Sequence, residues 1–64
     1  MKVEFRLRDA REKLAMTQEE LAKRVGVRQA TISNLETGKS QRISFRLLGA
    51  LARELGVQPR DLFR

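Results

Sequence analysis

Apolar positions along this chain recur at helical rather than strand spacing. Leu7, Ala10, Arg11 and Leu14 fall at i, i+3, i+4 and i+7 on one face, which predicts a first helix over about Phe5 to Leu14. Ahead of it, the alternation of Val3, Phe5 and Leu7 also allows a short extended arm. Leu21, Ala22 and Val25 share the face of a second helix, over residues 18–25. Ile32 and Leu35 mark the buried side of a third, over residues 29–37. Leu47, Leu48, Leu51, Ala52 and Leu55 form the wide stripe of a fourth. Leu62 and Phe63, just after Pro59, are expected to close the core from a final short helix. Phe5 lies off the face of its own helix; packing on the chain's C-terminus is the favoured fate, a dimer contact the rival.

The polar positions punctuate these runs. Thr17 with Glu20 is a capping-box pattern, and Met16 with Leu21 supplies a hydrophobic staple. Glu19 and Glu20 complement the positive end of the helix dipole, and Lys23 and Arg24 the negative end. Gly26, Gly38 and Gly56 stand where helices stop. Ser44 can cap the fourth helix, and Pro59 suits the first position of the fifth. Gly49 sits inside the fourth helix at a cost of about 1 kcal/mol relative to Ala; it either lets a neighbour approach closely or has no packing role. The expectation is one all-α domain over residues 1–64, with five short helices.

Length and composition narrow the chemistry. A chain of 64 residues buries only about 60% of its unfolded surface, so helices with local contacts suit it. It has no Cys and no His, which removes thiol chemistry, disulfides and the usual zinc and iron ligand sets. No cofactor or metal is expected, and the Ser, Lys and carboxylate groups show no catalytic spacing, so an enzyme is not expected. No apolar run approaches a membrane span, and the N-terminus lacks a signal-peptide core. The net charge is +6, with ten Arg among the 14 basic residues. Such a balance favours an anionic partner. Its distribution says more: residues 17–38 carry three basic and three acidic side chains, whereas Lys39, Arg42 and Arg46 follow with no acid between them.

The third helix has an unusual outer face. Opposite Ile32 and Leu35 lie Ala30, Ser33, Asn34 and Thr37, with Gln29 flanking. A merely solvated face is more often charged. Amides pair bidentately with adenine edges, hydroxyls donate or accept, and small apolar groups meet the thymine methyl. From these residues alone, base readout and plain solvation stand level. Arg11, a charge on the apolar face of the first helix, needs a partner if buried, and Glu36, beside Leu35, is the natural candidate.

Thr17-Gln18, Glu20-Leu21-Ala22, Val25-Gly26-Val27, Gln29, Thr31-Ile32-Ser33, Leu35-Glu36 and Gly38-Lys39 together resemble the helix-turn-helix of the Cro and lambdoid-repressor family, also called the Xre family. The likeness spans nearly the whole chain. It implies a compact five-helix, lambda-repressor-like DNA-binding domain, with the helix-turn-helix over residues 17–38 and its second helix in the major groove. It implies base contacts from Gln29, Ala30 and Asn34 and a phosphate clamp from Gln18; the residues themselves add Arg28 and Ser33 as expected base contacts, and Thr17, Thr37, Lys39 and Arg42 as expected backbone contacts. It also implies the Arg11–Glu36 ion pair. Two departures thin the readout. Arg28 stands where a Ser or Thr cap is common, and Ala30 offers at most a methyl contact.

The expected function is sequence-specific binding of double-stranded DNA as a transcriptional regulator, with repression the expected sign. The rival is an antitoxin or co-regulator module whose main partner is another protein. A homodimer is expected, through the fifth helix and adjoining loops or only on DNA. The expected setting is the cytoplasm of a bacterium or a phage host, at the nucleoid, away from membranes.

Overall fold

The computed structural model describes residues 6–40 and 42–63. Its elements are α1 (Leu7–Lys13), α2 (Gln18–Val25), α3 (Gln29–Thr37), α4 (Phe45–Leu55) and a 3-10 turn (Pro59–Leu62). The expectations for Met1 to Phe5 lie outside the described residues, as does Gln41. α2 packs on both α3 and α4, α1 lies on α3, and the 3-10 turn closes on α4.

Local chemistry sets most of the element ends. The Thr17 hydroxyl accepts from the Glu20 N–H at 3.0 Å, and Glu20 Oε1 accepts from the Thr17 N–H at 3.0 Å. Both halves of the capping box are therefore made, and two amides that a helix start leaves orphaned are satisfied. Gly26 ends α2 at φ 76°, a backbone that favours glycine. The Ser44 hydroxyl accepts from the Leu47 N–H at 3.1 Å and starts α4.

Leu7, Leu21, Ala22, Ile32, Leu35, Leu51, Leu55 and Leu62 form one buried cluster to which every helix and the 3-10 turn contribute. Met16, Val25, Val27, Ile43, Leu47, Leu48 and Val57 pack around it.

Three expectations are corrected, and one open alternative is decided. Among the described residues the fold has four α-helices and a 3-10 turn, not five helices. Pro59 starts the last element, and Asp61 Oδ2 accepts from the Gln58 N–H at 3.0 Å, but Phe63 is already extended at φ −117°, ψ 142°. One turn is all the chain between Gln58 and Phe63 can make. Phe63 does not close the core beside Leu62: it is exposed, while Leu62 is fully buried. α1 stops at Lys13, so Leu14 leaves the apolar face and is half exposed. Ala15 then turns the chain at φ 52°. Finally, a Cβ at Gly49 would meet nothing within 4 Å, so no close helix approach explains that glycine.

Candidate nucleic-acid interface

The connection from α2 to α3 is only Gly26, Val27 and Arg28. The Val27 N–H donates to the Ala22 carbonyl at 2.9 Å, and Val27 packs on the core. The pair of helices is thereby fixed as a rigid corner. α3 buries Ile32 and Leu35. Gln29, Ala30 and Thr37 are exposed on its other side, and Ser33 and Asn34 are partly exposed. Arg28 is exposed and makes no side-chain cap bond, so its guanidinium is available to a ligand.

Behind α3 lies a polar cluster centred on Glu36, whose side chain has no exposed surface. Arg11 Nε donates to Glu36 Oε2 at 2.7 Å, and Arg11 Nη2 donates to Oε1 at 3.1 Å. The third guanidinium nitrogen, Nη1, donates to the Met16 carbonyl at 2.7 Å, which ties the turn after α1 to the same cluster. Burial pushes the Glu36 carboxyl up, but the hydrogen bonds from Arg11 and Gln18 and the arginine charge outweigh it and hold the group below the usual carboxylate range. The hydrogen bond to Glu36 likewise raises the Arg11 guanidinium above its ordinary value.

Gln18 connects this cluster to the outer face. Its Nε2 donates to Glu36 Oε1 at 3.0 Å. A carboxylate can only accept, so this bond sets which way the amide points. Gln18 Oε1 therefore faces Gln29, whose Nε2 donates to it at 3.4 Å. Each Nε2 carries a second N–H. Gln29 keeps that N–H and its Oε1 for a bidentate partner, and Gln18 keeps a donor for an anion.

Among the residues singled out in the sequence, the structure brings Arg11, Gln18, Gln29 and Glu36 into one hydrogen-bonded chain. Arg28, Ala30, Ser33, Asn34 and Thr37 lie along α3 or at its start. Thr17 is exposed at the start of α2, with its hydroxyl oxygen engaged by the cap and its proton free to donate. Thr37 is the less suited of the backbone candidates, because its hydroxyl donates to the Ser33 carbonyl at 3.0 Å. Lys39 and Arg42 are exposed in the connection to α4.

Sequence reading missed two residues. Arg8 donates through Nε to Glu36 Oε1 at 3.4 Å; its place three residues before Arg11, one helical turn away, is the signal that could have found it. Phe45 is 93% exposed. It stands outside the apolar stripe of α4, and that periodicity was the available signal.

Among the described residues no group of His, Cys, Asp and Glu could hold a metal ion, and no helix is long and apolar enough to cross a membrane.

Comparison with known proteins gives the same picture. The helix-turn-helix family model HTH_3 matches residues 7–62. An uncharacterised HTH-type transcriptional regulator of Archaeoglobus fulgidus is 52% identical over 58 residues, covering 91% of this chain and 81% of the relative. That relative is archaeal, where a bacterial or phage origin was expected. The P22 c2 repressor, solved with a synthetic operator, superposes with a TM-score of 0.82 at 35% identity, over 89% of this chain and 85% of the repressor. A putative DNA-binding protein of Bacteroides fragilis superposes with a TM-score of 0.86 at 30% identity, over 98% of this chain and all of that one. With the family model covering every described helix, the chain belongs to the Xre/Cro-type helix-turn-helix family of DNA-binding transcriptional regulators, which are not enzymes.

Proposed function

We propose that this protein is a sequence-specific repressor that binds duplex DNA as a homodimer, with α3 in the major groove. The observation that carries the reading is the held amide of Gln29. It stands exposed at the N-terminal end of α3, fixed from behind by Gln18 and Glu36, with an acceptor and a donor still available. That pair of groups matches the N6 and N7 edge of adenine. Asn34 offers a second amide on the same helix, Ala30 a methyl contact and Ser33 a hydroxyl. Arg28 reaches a guanine or a phosphate from the helix start. Gln18, Thr17, Lys39 and Arg42 hold the flanking phosphates, and Thr37 joins them only by giving up its bond to Ser33. A homodimer reads two half-sites one helical turn apart, about 34–36 Å, and works at the nucleoid in the cytoplasm.

The P22 c2 repressor bound to its operator supports the reading at the level of a relative. Selection of bound sequences from a random duplex pool tests it directly. The expected result is a two-fold symmetric site with half-sites about 10 base pairs apart. Recovery of no consensus, or equal affinity for selected and scrambled duplexes, would sink it. Gln29→Ala is expected to relax selectivity at one position of each half-site at a cost of about 1–3 kcal/mol.

A further inference from the structure

Two arginines face one carboxylate in the Glu36 cluster, and they are not equivalent. Every guanidinium nitrogen of Arg11 has a partner, in Glu36 or in the Met16 carbonyl, and only 11% of its side chain is exposed. Arg11 alone neutralises the buried charge. Arg8 touches the cluster through Nε only, at 3.4 Å, and 54% of its side chain is exposed. Its two Nη nitrogens have no hydrogen-bond partner among the described residues. A long contact from a half-exposed side chain adds little to an ion pair that is already complete. Arg8 therefore leaves a surplus positive charge beside Gln18, which shares the acceptor Glu36 Oε1 and leads directly to Gln29.

We propose that Arg8 is a phosphate anchor, contributed by α1, for the backbone of duplex DNA. Its Nη edge is the fork that fits phosphate oxygens in pairs. Arg8 Nε and Gln18 Nε2 share the acceptor Glu36 Oε1, so the fork lies beside Gln18, whose spare amide N–H is offered to the same stretch of backbone. Three helices then hold one strand next to Gln29: α1 through Arg8, α2 through Gln18 and α3 through its outer face. The assignment rests on the reading that the outer face of α3 meets duplex DNA, and it adds a contact from a helix outside the helix-turn-helix.

The test is a salt titration of wild type, Arg8→Gln, Arg8→Lys and Arg6→Gln on one selected duplex and one scrambled duplex. Arg6 is the control. It is exposed, stands just before the first residue of α1, and lines a cleft with Leu55, Val57 and Leu62, with no bond to the Glu36 cluster among the described residues. Loss of one phosphate contact lowers the slope of log K against log salt by about 0.9, which is roughly tenfold in affinity near 0.1 M salt. Arg8→Gln is expected to show that loss equally on both duplexes, at an unchanged melting temperature. Arg8→Lys keeps the charge and the slope, and Arg6→Gln behaves as wild type. Arg8→Gln that unfolds, that keeps the wild-type slope, or that loses no more than Arg6→Gln overturns the anchor. A wild type that binds neither duplex sinks the reading of the interface itself, a result distinct from wild-type binding that Arg8→Gln leaves unchanged.

Discussion

Glu36 is the residue that links the core to the outer face of α3. Its buried carboxylate accepts from Arg11, Gln18 and Arg8, so removing its charge strands a nearly buried guanidinium. Breaking such a pair from one side costs about 3–5 kcal/mol, against a total stability of about 5 kcal/mol or a little more for a domain this small. Glu36→Gln is therefore expected to lower the urea midpoint by more than half, or to unfold the protein at room temperature; a loss of a few tenths of a kcal/mol would show the pair to be ornamental. The same group gives stability a pH dependence. Its carboxyl lies below its ordinary value of 4.5 in the folded state, so the unfolded chain binds the proton first as pH falls. The stabilisation is then complete above about pH 4.5 and is lost as pH drops from there through the lower folded value. Urea midpoints measured between pH 7 and pH 3 should fall in that window for wild type and fall less steeply for Glu36→Gln. Arg11 contributes nothing to this window, because it stays charged throughout. Ala15 is a second residue with a clear sign. It turns the chain at φ 52°, where a Cβ costs about 1–2 kcal/mol. Ala15→Gly should raise the melting temperature by a few degrees once the entropy of the freer unfolded chain is subtracted, and a fall would show that the turn carries no such strain.

At the scale of elements, legibility followed how well each end was marked. α2, α3 and α4 have the bounds read from the sequence because each carries chemistry at its ends: Thr17 with Glu20, then Gly26; Gly38; Ser44, then Gly56. α1 has no glycine after it. Its apolar period continues through Leu14, but the Arg11 guanidinium holds the Met16 carbonyl and the chain turns at Ala15 instead. The last element has a start signal in Pro59 and nothing to extend it, so it ends after one turn with Phe63 turned outward. The outer face of α3 was legible because a nine-residue helix with Ile32 and Leu35 inside leaves little choice of what lies outside. The Gln18–Glu36–Arg11 chain was only partly legible: a charge on the apolar face of the first helix pointed to the Arg11–Glu36 pair, as did the family likeness, but the Gln18 bond to Glu36 joins helices through side chains and leaves no mark in the periodicity. Phe45 escaped notice since single exposed apolar residues are common. Gly49 shows how an element can be improved. It lies in α4 with open space around its missing Cβ, so Gly49→Ala should raise stability by about 0.5–1 kcal/mol through the backbone alone. Chemical denaturation would show a higher midpoint at unchanged slope; a lower midpoint would reveal a close approach that the open space at Gly49 excludes.

The whole molecule is small, basic and thin-cored, and these properties are linked. One cluster of eight buried residues, all Leu, Ile or Ala, carries the fold, and the Glu36 carboxylate, buried among the described residues, links that cluster through Gln18 to the outer face of α3. Anything that binds this face in the folded state therefore also braces the fold. A ligand specific for the native state stabilises it by about 2.7 kcal/mol at a free concentration of 100 times Kd. For a domain of 60–100 residues each kcal/mol moves the melting temperature by about 4–8 °C. The net charge of +6 persists when the chain unfolds, so a polyanion of any sequence also binds the unfolded state and offsets part of the gain. Matched DNA differs in that its base contacts exist only with α3 formed. Thermal melts with equal concentrations of a selected and a scrambled duplex should thus separate: about 10 °C or more of stabilisation for the selected site and a small shift for the other. Raising salt should collapse the scrambled shift first, because it is made of phosphate contacts alone, and leave a residual difference that measures base readout. Equal shifts at every salt concentration would mean that charge, and not the amides of α3, holds this protein on DNA.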